Sequence, residues 1–163
     1  MMHDAVESMN KLALVDTATI EKYNLSWACV DTFDLRAHDV IVCNTDISGG
    51  PGIHWIVLVR KGADVLIMNP LGPDDVQPND AMMIDRIRQQ GFKPRRFPGT
   101  VQLPDSTQCG WFAIFMAKGA QTSLAKGYSL ATIEAGALEL WGRTADVNDL
   151  RRIDDEFDLG KLD

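Results

Sequence analysis

The chain has 163 residues, of which 45% are hydrophobic, and a formal net charge of −7 at pH 7. This length and apolar content suffice for one substantial core but fall short of two ordinary domains, so we expect a single domain over residues 1–163. The acidic balance argues against generic binding to nucleic acid or to an anionic membrane, because both depend on clustered Lys and Arg.

The three cysteines are Cys29, Cys43 and Cys109. They are too few for a disulfide scaffold, and none forms the C-x-x-C pair typical of zinc or redox sites. The N-terminal residues are acidic where a signal peptide is basic, and no apolar run approaches the length of a membrane span. We therefore expect a soluble intracellular protein that is not secreted and has no membrane partner.

The first half of the chain predicts one helix and three strands. Residues 4–13 place Ala5, Met9, Leu12 and Ala13 on one helical face. The segments 40–45, 53–60 and 64–70 are short runs rich in Val and Ile, separated by SGGPG and KGA. The second run is apolar almost throughout, which predicts a central strand covered on both faces. The Gly62 break predicts a hairpin into the third run.

The second half is mostly helical by its spacing. Residues 78–91 predict a helix with Asn79 or Asp80 as its cap, Ile84 and Ile87 facing inward, and Gly91 as its stop. A short strand is predicted near 99–103, and helices over 109–121, 129–142 and 146–157. This order of elements predicts an α+β fold with a central mixed β-sheet and helices packed around it.

Cys109 is the candidate nucleophile. It follows the turn-rich stretch LPDSTQ and begins an apolar helix. The unpaired N–H groups and the dipole at a helix N-terminus favour the thiolate, which is the nucleophilic form. Gly110 leaves room beside the sulfur for a substrate chain. The ordinary alternative is a buried cysteine that fills the core, and we assign that role to Cys29 and Cys43.

His54 is the candidate base. Of the three histidines it alone lies in a strand signal, directly after SGGPG, where small residues such as Gly52 can admit an extended substrate. His3 and His38 lie in polar surroundings and are expected to face solvent.

Two amides complete the predicted site. Asn69 ends a strand in MNPLG, where its carbonyl can hold the imidazole in the useful tautomer. Gln102 can donate its amide N–H to the oxyanion, together with the backbone N–H of Cys109. Either amide can instead be an ordinary strand-end residue, and a Cys, a His, an Asn and a Gln occur in most chains of this size.

The segments CNTDISGGPGIHW, MNPLG and VQLPDSTQCGWF resemble the three motif blocks of the adenovirus protease family, in matching order and with similar separations. This family belongs to the clan of the SUMO-specific proteases. The resemblance implies that Trp55, after the catalytic His54, packs on the imidazole or shapes the cleft, and that Gln102, seven positions before Cys109, serves the oxyanion. Asn69 replaces the family's acid, which implies weaker support for a charged imidazole.

The resemblance implies an adenain-like or papain-like cysteine protease fold with the nucleophile at a helix N-terminus. It further implies a monomeric endopeptidase without a metal that cleaves viral capsid precursor proteins after small residues such as Gly. Such an enzyme works in the virion and inside the host cell, in cytoplasm or nucleus. Family members are stimulated by a peptide activator and by DNA; the peptide stays open here, whereas the acidic charge argues against DNA.

Three alternatives remain open. The same chemistry can serve an isopeptidase or processing protease for ubiquitin-like modifiers, although so short a chain leaves little surface to grip a folded substrate. The amide at Asn69 keeps open a capsid-associated pseudoprotease. Acyl transfer to a hydroxyl or amine ranks last, because no segment indicates a pocket for an acyl donor.

Overall fold

A computed structural model describes residues 15–100 and 109–141 of the chain. Within these residues the fold has five strands and four helices, which confirms the predicted α+β class. In chain order the elements are α1 (Thr17–Lys22), β1 (Ser26–Cys29), β2 (Val40–Asn44), β3 (Trp55–Lys61), β4 (Asp64–Met68), α2 (Asp80–Gln89), β5 (Lys93–Arg96), α3 (Cys109–Ala125) and α4 (Leu130–Trp141).

The five strands form one mixed sheet in the order β1-β2-β3-β4-β5. The three middle strands are antiparallel to one another, while β1 runs parallel to β2 and β5 parallel to β4. The three predicted strands are confirmed as β2, β3 and β4, with β3 at the centre. The predicted hairpin is also confirmed: Lys61 pairs with Asp64, and Gly62 has a φ of +61°, which glycine adopts at little cost.

Both faces of the sheet are covered by apolar layers. Side chains of one parity, such as Val57 and Val59, pack with Phe112 and Ala117 of α3 and with residues of α1 and α4. Those of the other parity join a second layer that includes Met83 and Ile87 of α2. This two-sided burial explains why the middle strands are continuously apolar. Since both faces are apolar, the two-residue turn at Gly62 is what holds the β3 and β4 register.

Helix α2 follows the predicted pattern with one change at its start. Ile87 is fully buried and Ile84 is half-buried against the same layer, as expected. Asn79 occupies the cap position but makes no capping hydrogen bond with its side chain; its Nδ2 donates instead to the backbone carbonyl of Thr45 at 2.9 Å. Gly91, with a φ of +93°, follows the helix end and confirms the predicted stop.

The structure also differs from the sequence-based expectations. Helix α1 and strand β1 were not predicted, and neither was β5, through which the chain pairs with β4 at Lys93–Arg96. The strand expected near 99–103 is described only at its first two residues. Gly99 and Thr100 lie outside any strand, and 101–103 lie outside the described residues. Helices α3 and α4 confirm two predictions, whereas the predicted helices over 4–13 and 146–157 lie outside the described residues.

The antiparallel order brings three strand termini together at one edge of the sheet, namely the edge formed by strand ends and not by an outer strand. They are the end of β2, the start of β3 and the end of β4. The last residue of β2 is Asn44, and it pairs with Trp55, the first residue of β3. Strand β4 runs in the same direction as β2 and ends at Met68 beside β3. His54 and Asn69, which immediately flank β3 and β4, therefore lie at the same edge.

Candidate functional site

His54 and Asn69 lie in contact at this edge. His54 directly precedes β3, and Asn69 directly follows β4. Nε2 of His54 lies 2.7 Å from Oδ1 of Asn69, and the two residues are 5% and 8% exposed. The structure thus brings together the residues predicted as the base and its orienting acceptor.

The amide of Asn69 can face His54 in one orientation only. Oδ1 also accepts the backbone N–H of Leu71 at 3.0 Å. Nδ2 donates to the backbone carbonyl of Asp75 at 3.2 Å and to its carboxylate at 3.0 Å. A flipped amide would set donor against donor at Leu71 and acceptor against acceptor at Asp75. Oδ1 is therefore the atom that meets the imidazole.

This orientation determines the tautomer of His54. Because an amide oxygen can only accept, Nε2 must carry the hydrogen, and in the neutral ring Nδ1 is left as the basic nitrogen. Burial lowers the pKa of His54 below its ordinary value of 6.5, while the Asn69 hydrogen bond and the charge of Asp75 raise it against this larger effect. Without an anion at Nδ1, His54 is therefore a neutral base at pH 7.

Sequence reasoning did not select the residues behind Asn69. Asp75 accepts both hydrogens of the Asn69 amide through its carboxylate and its backbone carbonyl, and Gln77 Nε2 donates to the same carboxylate at 2.5 Å. These residues lie in the polar loop between β4 and α2, which has no hydrophobic periodicity. No spacing in the loop distinguishes Asp75 from its neighbour Asp74 before the fold is known.

The glycine-rich loop before His54 is held by two side chains at the end of β2. Asn44 Oδ1 accepts the backbone N–H groups of Asp46 and Ile53 at 2.9 and 3.1 Å. The carboxylate of Asp46 accepts those of Ile47 and Gly52 at 2.8 and 3.0 Å. Gly52 has a φ of +92° and is half-buried. The predicted substrate wall therefore has a defined backbone conformation.

Val15 joins the His54 segment to the start of α3. The indole N–H of Trp55 donates to the backbone carbonyl of Val15 at 2.8 Å. On the other side, a Cβ placed on Gly110 would lie 2.4 Å from Cγ2 and 2.9 Å from the backbone N of Val15. Trp55 and Gly110, the residues that follow His54 and Cys109, thus both lie against Val15. The space at Gly110 that was expected to admit substrate is taken, on that side, by the chain itself.

Cys109 is the first residue of α3, at the helix terminus where the sequence analysis expected the nucleophile. Gln102 lies outside the described residues. The last described residue before Gln102 is Thr100. It packs on the turn that follows Asn69, since a Cβ on Gly72 would lie 2.2 Å from Oγ1 of Thr100. The segment that follows β5 therefore passes beside the MNPLG turn at Thr100.

Cys43, Cys29 and His38 are the other cysteines and the other histidine that the structure describes, and their surroundings do not activate them. Cys43 is fully buried, and burial raises the pKa of its thiol. Burial, followed by the charges of Asp31 and Asp46, raises the pKa of the half-buried Cys29. His38 is exposed, as predicted, and its Nδ1 lies 3.1 Å from Oγ of Ser26. None of the three has the setting of an activated group.

Among residues 15–100 and 109–141, no group of three or more His, Cys, Asp or Glu side chains is arranged to hold a metal ion. Across that same part of the chain, no helix has both the length and the apolar character to cross a membrane.

No protein-family model and no curated protein matches the chain. The resemblance to the adenovirus protease family thus depends on the motif blocks alone.

Proposed function

We propose that this chain is a cysteine peptidase in which Cys109 is the nucleophile and His54 the base. The observation that carries the proposal is the buried hydrogen bond from Nε2 of His54 to the orientationally fixed Asn69 amide. It holds the ring in the tautomer that leaves Nδ1 basic. The junction through Val15 supports the proposal, because it places the segments of His54 and Cys109 against one residue.

The proposed reaction has two stages. In the first, Nδ1 of His54 takes the thiol proton of Cys109, the sulfur attacks the substrate carbonyl, and the imidazolium then protonates the departing amine. In the second, His54 takes a proton from water, the hydroxide attacks the thioester, and the Cys109 sulfur leaves and regains the proton. The backbone N–H of Cys109 and the amide N–H of Gln102 donate to the oxyanion in both stages.

The finer proposal follows the resemblance. We propose an adenain-like single domain that acts as a monomer on viral capsid precursors, cleaving after small residues such as Gly, within the virion and the host cell. The held glycine loop supports a narrow approach to His54, since the backbone of Gly52 is fixed by Asp46. A peptide activator is compatible with this proposal, and no metal takes part in the reaction.

The test is the pH dependence of iodoacetamide alkylation, measured at each cysteine by mass spectrometry. Rapid labelling of Cys109 well below the ordinary thiol pKa of about 8.5 is expected in the wild type and should be lost in His54→Ala. His38→Ala, which removes an exposed histidine outside the site, is the matched control and should leave the profile unchanged. Labelling of Cys109 as an ordinary thiol would contradict peptidase activity of the chain by itself, and would favour either the pseudoprotease or a protease that awaits its activator.

Substrate class requires a second measurement. A library of short peptides is incubated with wild type and with Cys109→Ala, and products are sequenced; cleavage after Gly by the wild type alone is expected. Fusions of folded ubiquitin-like modifiers are assayed in parallel. Cleavage of the fusions but of no short peptide would replace the viral precursor proposal with the modifier-processing alternative.

A further inference from the structure

Asn69 presents a neutral amide to His54, yet a carboxylate lies directly behind that amide. The carboxylate of Asp75 accepts from Nδ2 of Asn69 at 3.0 Å, on the opposite side of the amide from the imidazole. The acid missing from the position of Asn69 is therefore present one side chain further from the ring.

These groups belong to a closed cycle of hydrogen bonds. The cycle leads from the imidazole of His54 to Asn69, then to Asp75, and then to Gln77, whose Nε2 donates to the Asp75 carboxylate at 2.5 Å. The hydroxyl of Thr45 donates to Gln77 Oε1 at 3.1 Å, and the backbone N–H of Thr45 donates to the carbonyl of His54 at 2.9 Å. The side chains of Asn69, Asp75 and Gln77 are thereby each held from both sides, which limits the positions that the carboxylate can take.

We propose that Asp75 is the acidic positioning residue of this site and acts on His54 through the amide of Asn69. The inference rests on the proposed function, in which His54 becomes an imidazolium during turnover. Asp75 does not contact the imidazole and is not a catalytic residue.

The physical reason is polarisation of the intervening amide. A carboxylate that accepts from Nδ2 of Asn69 draws positive charge toward itself and leaves Oδ1 more negative, which strengthens the hydrogen bond to Nε2 of His54. The effect is largest when the ring is positively charged, since the carboxylate also attracts the imidazolium through low-dielectric surroundings. The same charge opposes the lowering of the His54 pKa by burial.

Charged side chains of other elements also lie close to Asn69 and Asp75. Asp80 at the start of α2 and Arg96 of β5 line the same small cavity as Asn69 and Asp75. Nη2 of Arg96 donates to both carboxylate oxygens of Asp80, at 2.8 and 2.7 Å. The charges of this ion pair therefore largely offset each other. From α3, the proposed thiolate of Cys109 is the remaining partner of His54. Asp46 is a further carboxylate near the His54 segment, but its oxygens accept the backbone N–H groups of Ile47 and Gly52. Asp75 is the carboxylate that is joined to the imidazole through Asn69.

The first experiment isolates this coupling from catalysis by using the Cys109→Ala protein. The titration of His54 is followed by NMR of its ring signals, with and without Asp75→Asn. The substitution keeps an acceptor for the Asn69 amide and removes the charge, so the midpoint should move to lower pH. Asp74→Asn is the matched control: it removes an exposed carboxylate one residue away and should leave the midpoint nearly unchanged.

A charge exchange tests the direction of the effect. The double variant N69D/D75N moves the acid next to the imidazole and the amide behind it. The hydrogen bond between the two side chains is retained in reversed sense, whereas the one to the backbone carbonyl of residue 75 is lost. Its His54 midpoint should return to the parent value or exceed it. The double variant also keeps the proposal testable if Asp75→Asn does not fold, which thermal unfolding monitored by circular dichroism will show.

The second readout is Cys109 alkylation in the protein that retains the thiol. At about pH 6, Asp75→Asn should slow labelling about tenfold, because a less stabilised imidazolium supports less thiolate. An unchanged His54 midpoint in Asp75→Asn, or a shift equal to that of Asp74→Asn, would overturn the inference. A shifted midpoint with ordinary labelling of Cys109 in every variant would contradict peptidase activity of the chain by itself and leave the coupling of Asp75 to His54 standing.

Discussion

Two glycines of α3 allow the junction at Val15 to be tested by one kind of substitution. Gly110 lies in the first turn, where a Cβ would meet Cγ2 of Val15 at 2.4 Å, its Cβ at 2.7 Å and its backbone N at 2.9 Å. Gly119 lies further along the same helix, and a Cβ there would meet no atom within 4 Å. Alanine should therefore be strained at the first position and accommodated at the second.

The expected energies have opposite signs. Gly119→Ala should stabilise the protein by about 0.5–1 kcal/mol, because alanine restricts the unfolded chain and favours helix. Gly110→Ala should destabilise it by about 1–3 kcal/mol, the usual cost of overpacking, since Val15 is held on its other side by Trp55 and can yield little. The two variants should thus differ by about 1.5–4 kcal/mol, which corresponds to roughly 3–16 °C in Tm for a chain of this size.

The free energies of unfolding would be measured in urea and checked by thermal melting, with both variants in the same buffer. Equal m values are needed for the comparison, because a changed slope indicates a change in the unfolded or native ensemble rather than in this contact alone. Equal stability of Gly110→Ala and Gly119→Ala would refute the reasoning, since it would mean that Val15 does not occupy the space beside Gly110.

Three further predictions use other parts of the site. Since burial lowers the pKa of His54 below 6.5, the unfolded chain binds that proton more tightly. In the Cys109→Ala protein the free energy of unfolding should therefore fall as pH drops below 6.5 toward the folded pKa; adding His54→Gln should remove this dependence in urea titrations, and an unchanged slope would contradict it. Asp46→Ala should speed amide exchange at Gly52 about tenfold, since a buried acceptor is lost; NMR exchange rates equal to wild type would refute this. The fully buried Cys43 should resist iodoacetamide until denaturant is added, and native labelling seen by mass spectrometry would show that its layer opens.

The middle of the sheet could be predicted because its burial is simple. Strands β2, β3 and β4 are apolar on both faces and bounded by glycine-rich breaks, so composition alone marks them. The edge strands lack that signal: β1 is only partly buried, and β5 has the sequence KPRR. Pro94 is tolerated there because an edge strand has one side without a partner for its missing N–H. Polar edge strands of four residues give no periodicity to detect.

The candidate site, like the sheet, has one part that could be predicted from the sequence and one part that could not. The contact between His54 and Asn69 follows from two strand ends that the motif blocks mark. Asp75 reaches the Asn69 amide only because of the conformation of its loop. A turn in which the N–H of Gly72 donates to the carbonyl of Asn69 brings the chain back to that amide. Val15 was not predicted because its contacts join distant segments, and a single sequence contains no pattern for such pairs.

The junction at Val15 also bears on when the site can form. Val15 lies near the beginning of the sequence, Trp55 lies 40 residues later, and Gly110 lies in the final third. Contacts so far apart in the chain form late in folding, because loop closure must precede any gain from them. During synthesis, a chain released only as far as the sheet has the imidazole and its supporting amide but no helix to present the thiol. The proposed peptidase activity would therefore require that the chain has left the ribosome at least through α3.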